Sequence, residues 1–377
     1  MTAPSNFSAA LESAPPRPSL RLTALHPERF LSLGLLLLLG VLIVLPVGVL
    51  VAGSLLSEPP RALHFDWSGL TLRNYVEVLT QGGFADLLGT TVGAALIGTA
   101  GAIAIGAGLA WLAVRSDVPG RRLLEAVSIM PMLVPPLVGA FAWDILASPR
   151  SGILNIALRS LDLPVRFNIY SFGGIGFVFA IYYAPYVFLF TAAALRNMDP
   201  AFEEAAALCG ASRWRTMTDV TLPLVLPALL SAALLVFVLL IELFAIPAVL
   251  GEAGNVHFIS VRIWELIGFA PPKVNQASAL GVLVLAVTVT LVMLQHRVLA
   301  RRSFVTVAGK GLRPKAVALG AARWPLAALG FAYLLFVVLL PFGALLLIAL
   351  RKSLFFSTLA QVFDPAQLSL KQFGVAF

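Results

Sequence analysis

The sequence has little charge and almost no cysteine for its length. Of its 377 residues, only 12% are Asp, Glu, Lys or Arg, and Cys209 is the single cysteine. One cysteine excludes a disulfide framework and a multi-cysteine metal site. A soluble domain of this size needs more charge to cover its surface. The four histidines lie far apart, and no glycine-rich loop ending in Lys-Ser or Lys-Thr is present, so we expect neither a catalytic cluster nor a phosphate-binding loop.

The sequence is rich in long apolar segments. Hydrophobic residues make up 59% of the chain, and its mean hydropathy is +0.94. They fall in blocks long enough to cross a bilayer, which takes roughly 20 residues per helix. Glycines between 98 and 108 add a small-residue face that lets helices approach closely. The chain is therefore predicted to be an all-α, polytopic membrane protein. Its predicted spans are Phe30–Leu56, Leu87–Val114, Ala126–Leu146, Gly173–Leu195, Pro223–Leu250, Ala277–Leu294 and Pro325–Leu350.

The net charge of +8 is explained by topology, because the basic residues are spread over loops rather than gathered in a patch. Residues 1–29 read as a short tail, and 299–324 as a basic linker. With both placed in the cytoplasm, more Lys and Arg fall inside than outside. We therefore predict a cytoplasmic N-terminus, membrane lipid around the spans, and no nucleic-acid partner.

Prolines and buried polar groups point to a pathway through the bundle. Pro131, Pro135 and Pro136 break the third predicted span, and Pro185 lies in the fourth. Broken helices at membrane depth either pack in protein or face a water-filled cavity. Glu242, predicted deep in the fifth span, is open to two interpretations: a pathway carboxylate or a structural hydrogen-bond acceptor. The candidate pathway residues are Glu242, Tyr182, Tyr183, Tyr186, Pro135 and Pro136.

The end of the chain repeats its beginning. Leu45-Pro-Val-Gly-Val-Leu is matched by Leu340-Pro-Phe-Gly-Ala-Leu, and residues 70–75 are matched by residues 368–373, at offsets of 295 and 298 residues. Two matches in order predict a parallel repeat, with a six-span unit over 30–298 and the start of a second unit over 325–377. Because the sequence stops where the second span of the second unit is due, we expect a longer chain or a partner to supply the rest.

The predicted cytoplasmic loop 199–223 has the local signals of two short helices. Asp199 is placed to cap a helix that starts at Pro200, and Gly210 to end it in a left-handed turn. Ser212 is placed to cap a second helix, which we expect to stop before Pro223. A docking knob for another protein and an ordinary structured loop both fit these signals.

The motif Glu204-Ala-Ala, followed by Gly210 and by Val220-Thr-Leu-Pro223, resembles the EAA loop of binding-protein-dependent ABC importer permeases. Val220 stands where that family more often has Ile. The resemblance implies that the loop docks on a dimer of ABC ATPase subunits, which use the ATP, and that this chain binds no cofactor or metal. It also implies a periplasmic binding protein as a partner and the bacterial inner membrane as the location. The coupling residues it implies are Glu204, Ala205, Ala206, Gly210, Val220, Leu222 and Pro223.

Among fused two-copy permeases, the chain looks most similar to the ferric iron type. The stretches that carry this resemblance are Pro149–Asn155, Phe167–Tyr170 and Phe304–Gly311. The expected substrate is therefore ferric iron, with thiamine, polyamines and phosphonates as alternatives. An ion-coupled secondary transporter is the alternative class, although it should carry several buried charges. A membrane-embedded enzyme would need paired catalytic groups within the spans, so we expect no catalytic residues in this chain.

Overall fold

A computed structural model of the chain describes residues 27–59, 69–80, 83–300, 316–353, 356 and 358–370. Among these residues there are helices and three isolated bridges but no β-strand, which confirms the all-α prediction. Residues 1–50 and residues 51–377 form separate compact units, and, apart from α1, the features below belong to the second. Most of the predicted tail, the linker residues 301–315 and positions 371–373 of the predicted repeat lie outside the described residues.

The described residues form sixteen α-helices joined by turns and by short 3-10 and π-helical segments. The helices are α1 (Pro27–Leu55), α2 (Arg73–Thr80), α3 (Phe84–Arg115), α4 (Arg121–Ile129), α5 (Pro136–Ala147), α6 (Ile153–Ser160), α7 (Phe172–Asn197), α8 (Ala201–Leu208), α9 (Arg213–Thr216), α10 (Leu222–Glu242), α11 (Glu252–Gly254), α12 (Ile259–Gly268), α13 (Val274–Ala300), α14 (Arg323–Leu334), α15 (Leu340–Ala349) and α16 (Leu359–Val362).

Six helical runs of the described residues are long and apolar enough to cross a membrane. A seventh span results if the bent pair α4 and α5 is counted as one. Each of the six runs overlaps one of the predicted blocks in chain order, and the bent pair overlaps the third predicted block. The last span consists of α14 and α15, which are joined by a π-helical turn over Leu335–Leu339.

The third span is broken at its prolines. The 3-10 turn after α4 ends at Leu133, α5 begins at Pro136, and the two halves are bent by 97°. Pro135 has the extended angles φ −57° and ψ 131°, because a residue before proline disfavours the helical region. The predicted irregularity is therefore confirmed, and a role in a pathway stays a prediction.

The fifth span is shorter than predicted. α10 ends at Glu242, and Leu243 is extended, with φ −64° and ψ 125°. Pro247 lies four residues further on and has no N–H for the Leu243 carbonyl. Ser260 Oγ donates to that carbonyl instead, at 2.8 Å. The prediction of one span over Pro223–Leu250 is wrong, because Pro247 ends the hydrogen-bond ladder and a new helical run starts just before it.

The centre of the bundle is the contact between α3 and α7. A Cβ atom added at Gly98 would lie 2.6 Å from Phe179 Cβ, and one at Gly101 would lie 2.5 Å from Ala180 Cβ. Ala102, the residue after Gly101, is fully buried. Because residues this small let two backbones approach closely, the predicted small-residue face is confirmed. This contact fixes α3, whose last residue reaches the loop before α10.

One backbone arrangement occurs twice in the second unit. Leu56 forms an antiparallel bridge with Leu70, and Arg351 forms one with Leu368. The two bridges are displaced along the sequence by 295 and 298 residues, which are the offsets of the predicted repeat. The hydrogen bonds that flank them also correspond, namely Ser57 N to Gly69 O, Thr71 N to Leu55 O, Lys352 N to Gln367 O and Ser369 N to Leu350 O.

Candidate functional site

Residues 199–221, between α7 and α10, form a compact unit of two short helices that we call the α8–α9 knob. The Asp199 carboxylate accepts a hydrogen bond from the Ala201 N–H at 2.9 Å. α8 therefore begins at Ala201, one residue later than predicted. Glu203 and Glu204 occupy its first turn, where a negative charge is favoured by the helix dipole.

Gly210 ends α8 in the predicted left-handed turn, with φ +80°. The Ala211 N–H bonds to the Ala206 carbonyl and the Gly210 N–H to the Ala207 carbonyl, both at 3.0 Å. This pair of hydrogen bonds is the Schellman arrangement, which satisfies the last carbonyls of a helix and favours glycine at the left-handed position. The chain can thus reverse direction within two residues and begin α9.

Ser212 caps α9, its Oγ accepting a backbone N–H three residues on at 3.3 Å. The prediction that this helix stops before Pro223 is wrong. α9 continues through a π-helical turn, Met217–Thr221, into α10. In that wider turn the Leu222 N–H bonds to the carbonyl five residues back. Pro223 then lies inside this continuous helical run, as the second residue of α10 directly after the π-helical turn.

The outer face of the knob exposes large apolar side chains. Leu208 is 90% exposed, Trp214 77% and Phe202 50%. Glu204 and Cys209 are exposed beside them. Exposed apolar groups with a charged neighbour are typical of a surface that contacts another protein. Of the predicted coupling residues, Ala205, Gly210, Leu222 and Pro223 are also exposed, while Ala206 and Val220 are half-buried.

The inner face of the knob carries an ion pair that the sequence did not reveal. Arg115, the last residue of α3, is 1% exposed, and its Nη2 lies 2.5 Å from Glu203 Oε2. The second oxygen of Glu203 accepts the Thr221 hydroxyl at 2.7 Å. One signal was present: an arginine that directly ends an apolar block needs an acidic partner if it is buried. Nothing in the sequence indicated Glu203 rather than Glu204.

The segment before α14 contacts the same end of α3. The Val317 N–H bonds to the Arg115 carbonyl at 2.8 Å, and the Leu319 N–H bonds to the Asp117 carboxylate at 2.8 Å. Arg213 of the knob also donates to the Ala318 carbonyl. The knob, the end of α3 and the start of the last span are therefore hydrogen-bonded to one another.

The candidate pathway residues lie in two groups. Tyr182 and Tyr183 are buried in α7, and Tyr183 stacks on Tyr186 with ring centroids 5.6 Å apart. Tyr182 packs against α5 next to Gly139, where an added Cβ would overlap its ring. Glu242 is exposed at the end of α10 and accepts the Thr288 hydroxyl of α13 at 3.2 Å. The structural interpretation of Glu242 thus has an observed donor, and its position deep within a helix was wrongly predicted.

A cavity of about 620 Å³ lies beside the first turn of α3, at the opposite end of that helix from Arg115. Its polar lining includes Asp86, Glu252 and His257, together with Glu265, which pairs with Arg262 at 2.8 Å. In the part of the chain that the structure describes, no group of three His, Cys, Asp or Glu side chains is placed to hold a metal ion. The cavity is an open, partly acidic depression.

Two of the three stretches that carry the iron-type resemblance are joined by Asn155. Its amide donates to the Ser148 and Phe167 carbonyls at 2.9 and 2.8 Å, and its oxygen accepts the Phe167 N–H at 2.8 Å. Asn155 is 1% exposed. Beside it, the Tyr170 hydroxyl donates to the Asp144 carboxylate, and burial with that carboxylate raises the pKa of Tyr170 to about 12. These residues stabilise a loop rather than present ligands for an ion.

Comparison with known sequences assigns this architecture to a family. The profile of the family described as binding-protein-dependent transport system inner membrane component matches residues 102–305, which include α4 to α13 and the whole knob. The chain belongs to this family. It is therefore a multi-pass transport component, and its relatives are permeases of ABC transporters.

The names of individual relatives refer to different substrates. A ferric transport system permease protein from Actinobacillus pleuropneumoniae is 28% identical over 67% of this chain and 36% of its own length. Another from Haemophilus influenzae is 25% identical over 67% of this chain and 40% of its own length. A sulfate transport system permease protein from Escherichia coli is 29% identical over 55% of this chain and 70% of its own length. The matched part thus spans about two fifths or less of the ferric relatives.

Solved structures share the fold. The crystal structure of a bacterial ABC transporter that imports the acidic polysaccharide alginate contains a chain that superposes with a TM-score of 0.58 at 19% identity, over 74% of this chain and 97% of that one. A second crystal structure contains an alginate transporter in complex with a pentasaccharide-bound periplasmic protein, with a TM-score of 0.58 and 18% identity. At this identity the likeness concerns the fold alone.

Proposed function

We propose that this chain is the pore-forming subunit of an ATP-driven importer and that the α8–α9 knob docks on its ATPase. The supporting observation is that the knob exposes Leu208 by 90% and Trp214 by 77%, together with the exposed Glu204. Apolar side chains presented in this way gain free energy when a partner groove covers them. Glu204 then adds a charge that orients the docking.

The proposed orientation places the knob and the N-terminus in the cytoplasm of a bacterium, with the spans in the inner membrane. ATP is bound and hydrolysed by a dimer of separate ATPase subunits. A periplasmic binding protein delivers the substrate to the opposite face, on the side of the cavity beside Glu252 and His257. The chain itself carries out no chemical step and needs no cofactor.

The proposed transporter has two related halves around the pathway. The recurring pairing of Leu56 with Leu70 and of Arg351 with Leu368 supports this arrangement. So does the length of the ferric relatives, of which this chain covers only about two fifths or less. Residues 325–377 are then the beginning of the second half, and a longer chain or a partner supplies the rest.

Ferric iron is the proposed substrate. Two ferric transport permeases match 67% of this chain, whereas the sulfate permease matches 55%. Sulfate is the second candidate, because the sulfate permease has slightly higher identity where it aligns. The thiamine, polyamine and phosphonate alternatives have no supporting observation, nor has the alternative of an ion-coupled carrier.

The experiment compares Glu204→Ala with the wild type in the complete transporter, reconstituted in vesicles with its ATPase and binding protein. Loss of one central interface contact costs about 2 kcal/mol, so co-purification of the ATPase should fall roughly tenfold or more. Uptake of radioactive ferric iron should fall with it. Glu125→Ala removes an exposed carboxylate outside the knob and should change neither measurement.

Two results would contradict the proposal. Iron uptake driven by an ion gradient without the ATPase would favour an ion-coupled carrier. ATP-dependent uptake of sulfate but not of iron would support the importer but show that its substrate is sulfate.

A further inference from the structure

α8 reaches α3 through one charged side chain, whereas α9 runs directly into α10. None of the eight residues of α8 is buried, so apolar packing contributes little to holding this helix in place. Glu203 is its most inward charged residue, with 20% of its side chain exposed, and it reaches Arg115 at the end of α3. A fully buried guanidinium has no access to water that could replace that carboxylate.

Glu203 joins three elements rather than two. Its Oε2 pairs with Arg115 of α3, and its Oε1 accepts the hydroxyl of Thr221, which is 3% exposed in the π-helical turn that leads into α10. α3 in turn packs along its length on α7. A displacement of α8 would therefore move the ends of α3 and α10 together, provided that the ion pair stays closed.

The next residue along α8 has the opposite environment. Successive residues of an α-helix point about 100° apart, and Glu204 is exposed on the outer face, in the motif that is expected to dock on the ATPase. The two neighbouring carboxylates thus face different partners. Glu204 is available to a second protein, whereas Glu203 is committed to the chain's own spans.

We propose that the Arg115–Glu203 ion pair is the connection through which movement of the α8–α9 knob is passed to α3. The proposal rests on the proposed function of the knob. Arg115 and Glu203 are positioning residues in this scheme, since neither is required to touch the ATPase or the substrate. Without the pair, a displacement of α8 would still reach α10 through α9, which continues into it, but this contact would no longer carry the displacement to α3.

The test separates transmission from folding and from docking. Glu203→Gln and Arg115→Met each leave one partner, whereas the double variant removes both charges, and replacement of a whole buried pair by neutral residues is often neutral for stability. Glu125→Gln is the matched control, because Glu125 forms an exposed pair with Arg196 at the same 2.5 Å distance. All four variants are studied in the complete transporter with its ATPase and binding protein.

Four quantities are measured for each variant: the thermal unfolding midpoint, ATPase co-purification, substrate imported per ATP hydrolysed, and the mobility of a nitroxide label. The label is attached to Cys209, the single cysteine of the chain, which is exposed at the end of α8. In the double variant we expect a thermal unfolding midpoint near that of the wild type and nearly unchanged ATPase retention. Import per ATP should fall about fivefold or more, the lower range of typical allosteric coupling, and the label should become more mobile.

Distinct results would overturn the inference and the proposed function. If the double variant imports as much substrate per ATP as the wild type, the pair does not transmit movement. If the double variant loses the ATPase altogether, the pair serves docking, and the inference is again wrong. If the wild-type chain retains no ATPase, the proposed function itself fails. Glu125→Gln should match the wild type in every measurement.

Discussion

Two short helices are attached to the bundle through glutamates whose surroundings differ. Glu203 of α8 forms an ion pair with Arg115 and accepts the Thr221 hydroxyl, and Glu77 of α2 accepts hydrogen bonds from Arg73 at 2.6 Å and from Gln276 at 2.7 Å. Each carboxylate therefore has both oxygens engaged. The arginines differ, because Arg115 is buried on another helix, whereas Arg73 is 79% exposed on the same helix as Glu77.

We expect burial and the number of other anchors, rather than distance, to decide how much free energy each contact contributes. An exposed pair is screened by water and contributes little, while breaking a buried pair leaves an uncompensated charge. α2 also has neutral anchors: Asn74 donates to the Ser54 and Leu56 carbonyls, and the Tyr75 hydroxyl lies 2.7 Å from that of Ser54. α8 has no buried residue that could add to its attachment.

The strongest way to break the comparison is to remove each arginine in turn. Arg115→Ala leaves Glu203 half-buried without its cation, and we expect a loss in the free energy of unfolding of about 3–5 kcal/mol. Arg73→Ala should cost less than about 1 kcal/mol, since its pair is exposed and local. Denaturant titration of each variant in detergent micelles, followed by circular dichroism, measures both values. Equal losses would show that burial is not what separates the two sites.

A smaller effect is expected at the neutral anchor of α2. Asn74 is 7% exposed, and its amide donates to the Ser54 and Leu56 carbonyls at 3.0 and 2.9 Å. Asn74→Ala leaves those carbonyls short of a donor and should cost about 1–3 kcal/mol. Asn168→Ala, at an exposed asparagine with a local turn hydrogen bond, should cost less in the same titration. If Asn74→Ala proved as mild as Asn168→Ala, α2 would depend on its glutamate after all.

The sequence was sufficient for the features that depend on local composition. The spans follow from apolar length, the bend of the third span from Pro135 and Pro136, and the turn after α8 from Gly210, whose positive φ an L residue rarely adopts. The small-residue contact of α3 with α7 could likewise be predicted, because Gly98 and Gly101 let two apolar helices approach closely.

The features that the sequence could not give depend on contacts between distant residues. Arg115 and Glu203 are far apart in the chain, and the choice between Glu203 and Glu204 depends on which way α8 turns. The end of α10 at Glu242 depends on Ser260, whose hydroxyl donates to the Leu243 carbonyl because Pro247 has no N–H to do so. Local rules located the knob but could not show which of its faces contacts the spans.

The smallest predicted effect is a pH dependence at Glu77. The Arg73 guanidinium, and after it the Gln276 amide, hold the pKa of Glu77 below its ordinary value of 4.5. A lowered pKa in the folded state means that the charged carboxylate adds stability above the ordinary pKa and that this contribution is lost as the pH falls through the lowered pKa. Thermal unfolding midpoints of the wild type and of Glu77→Gln should therefore differ slightly at pH 6 and converge below the lowered pKa. Because the site is exposed, the difference should also shrink in high salt, and a difference that grew as the pH fell would contradict the assigned direction.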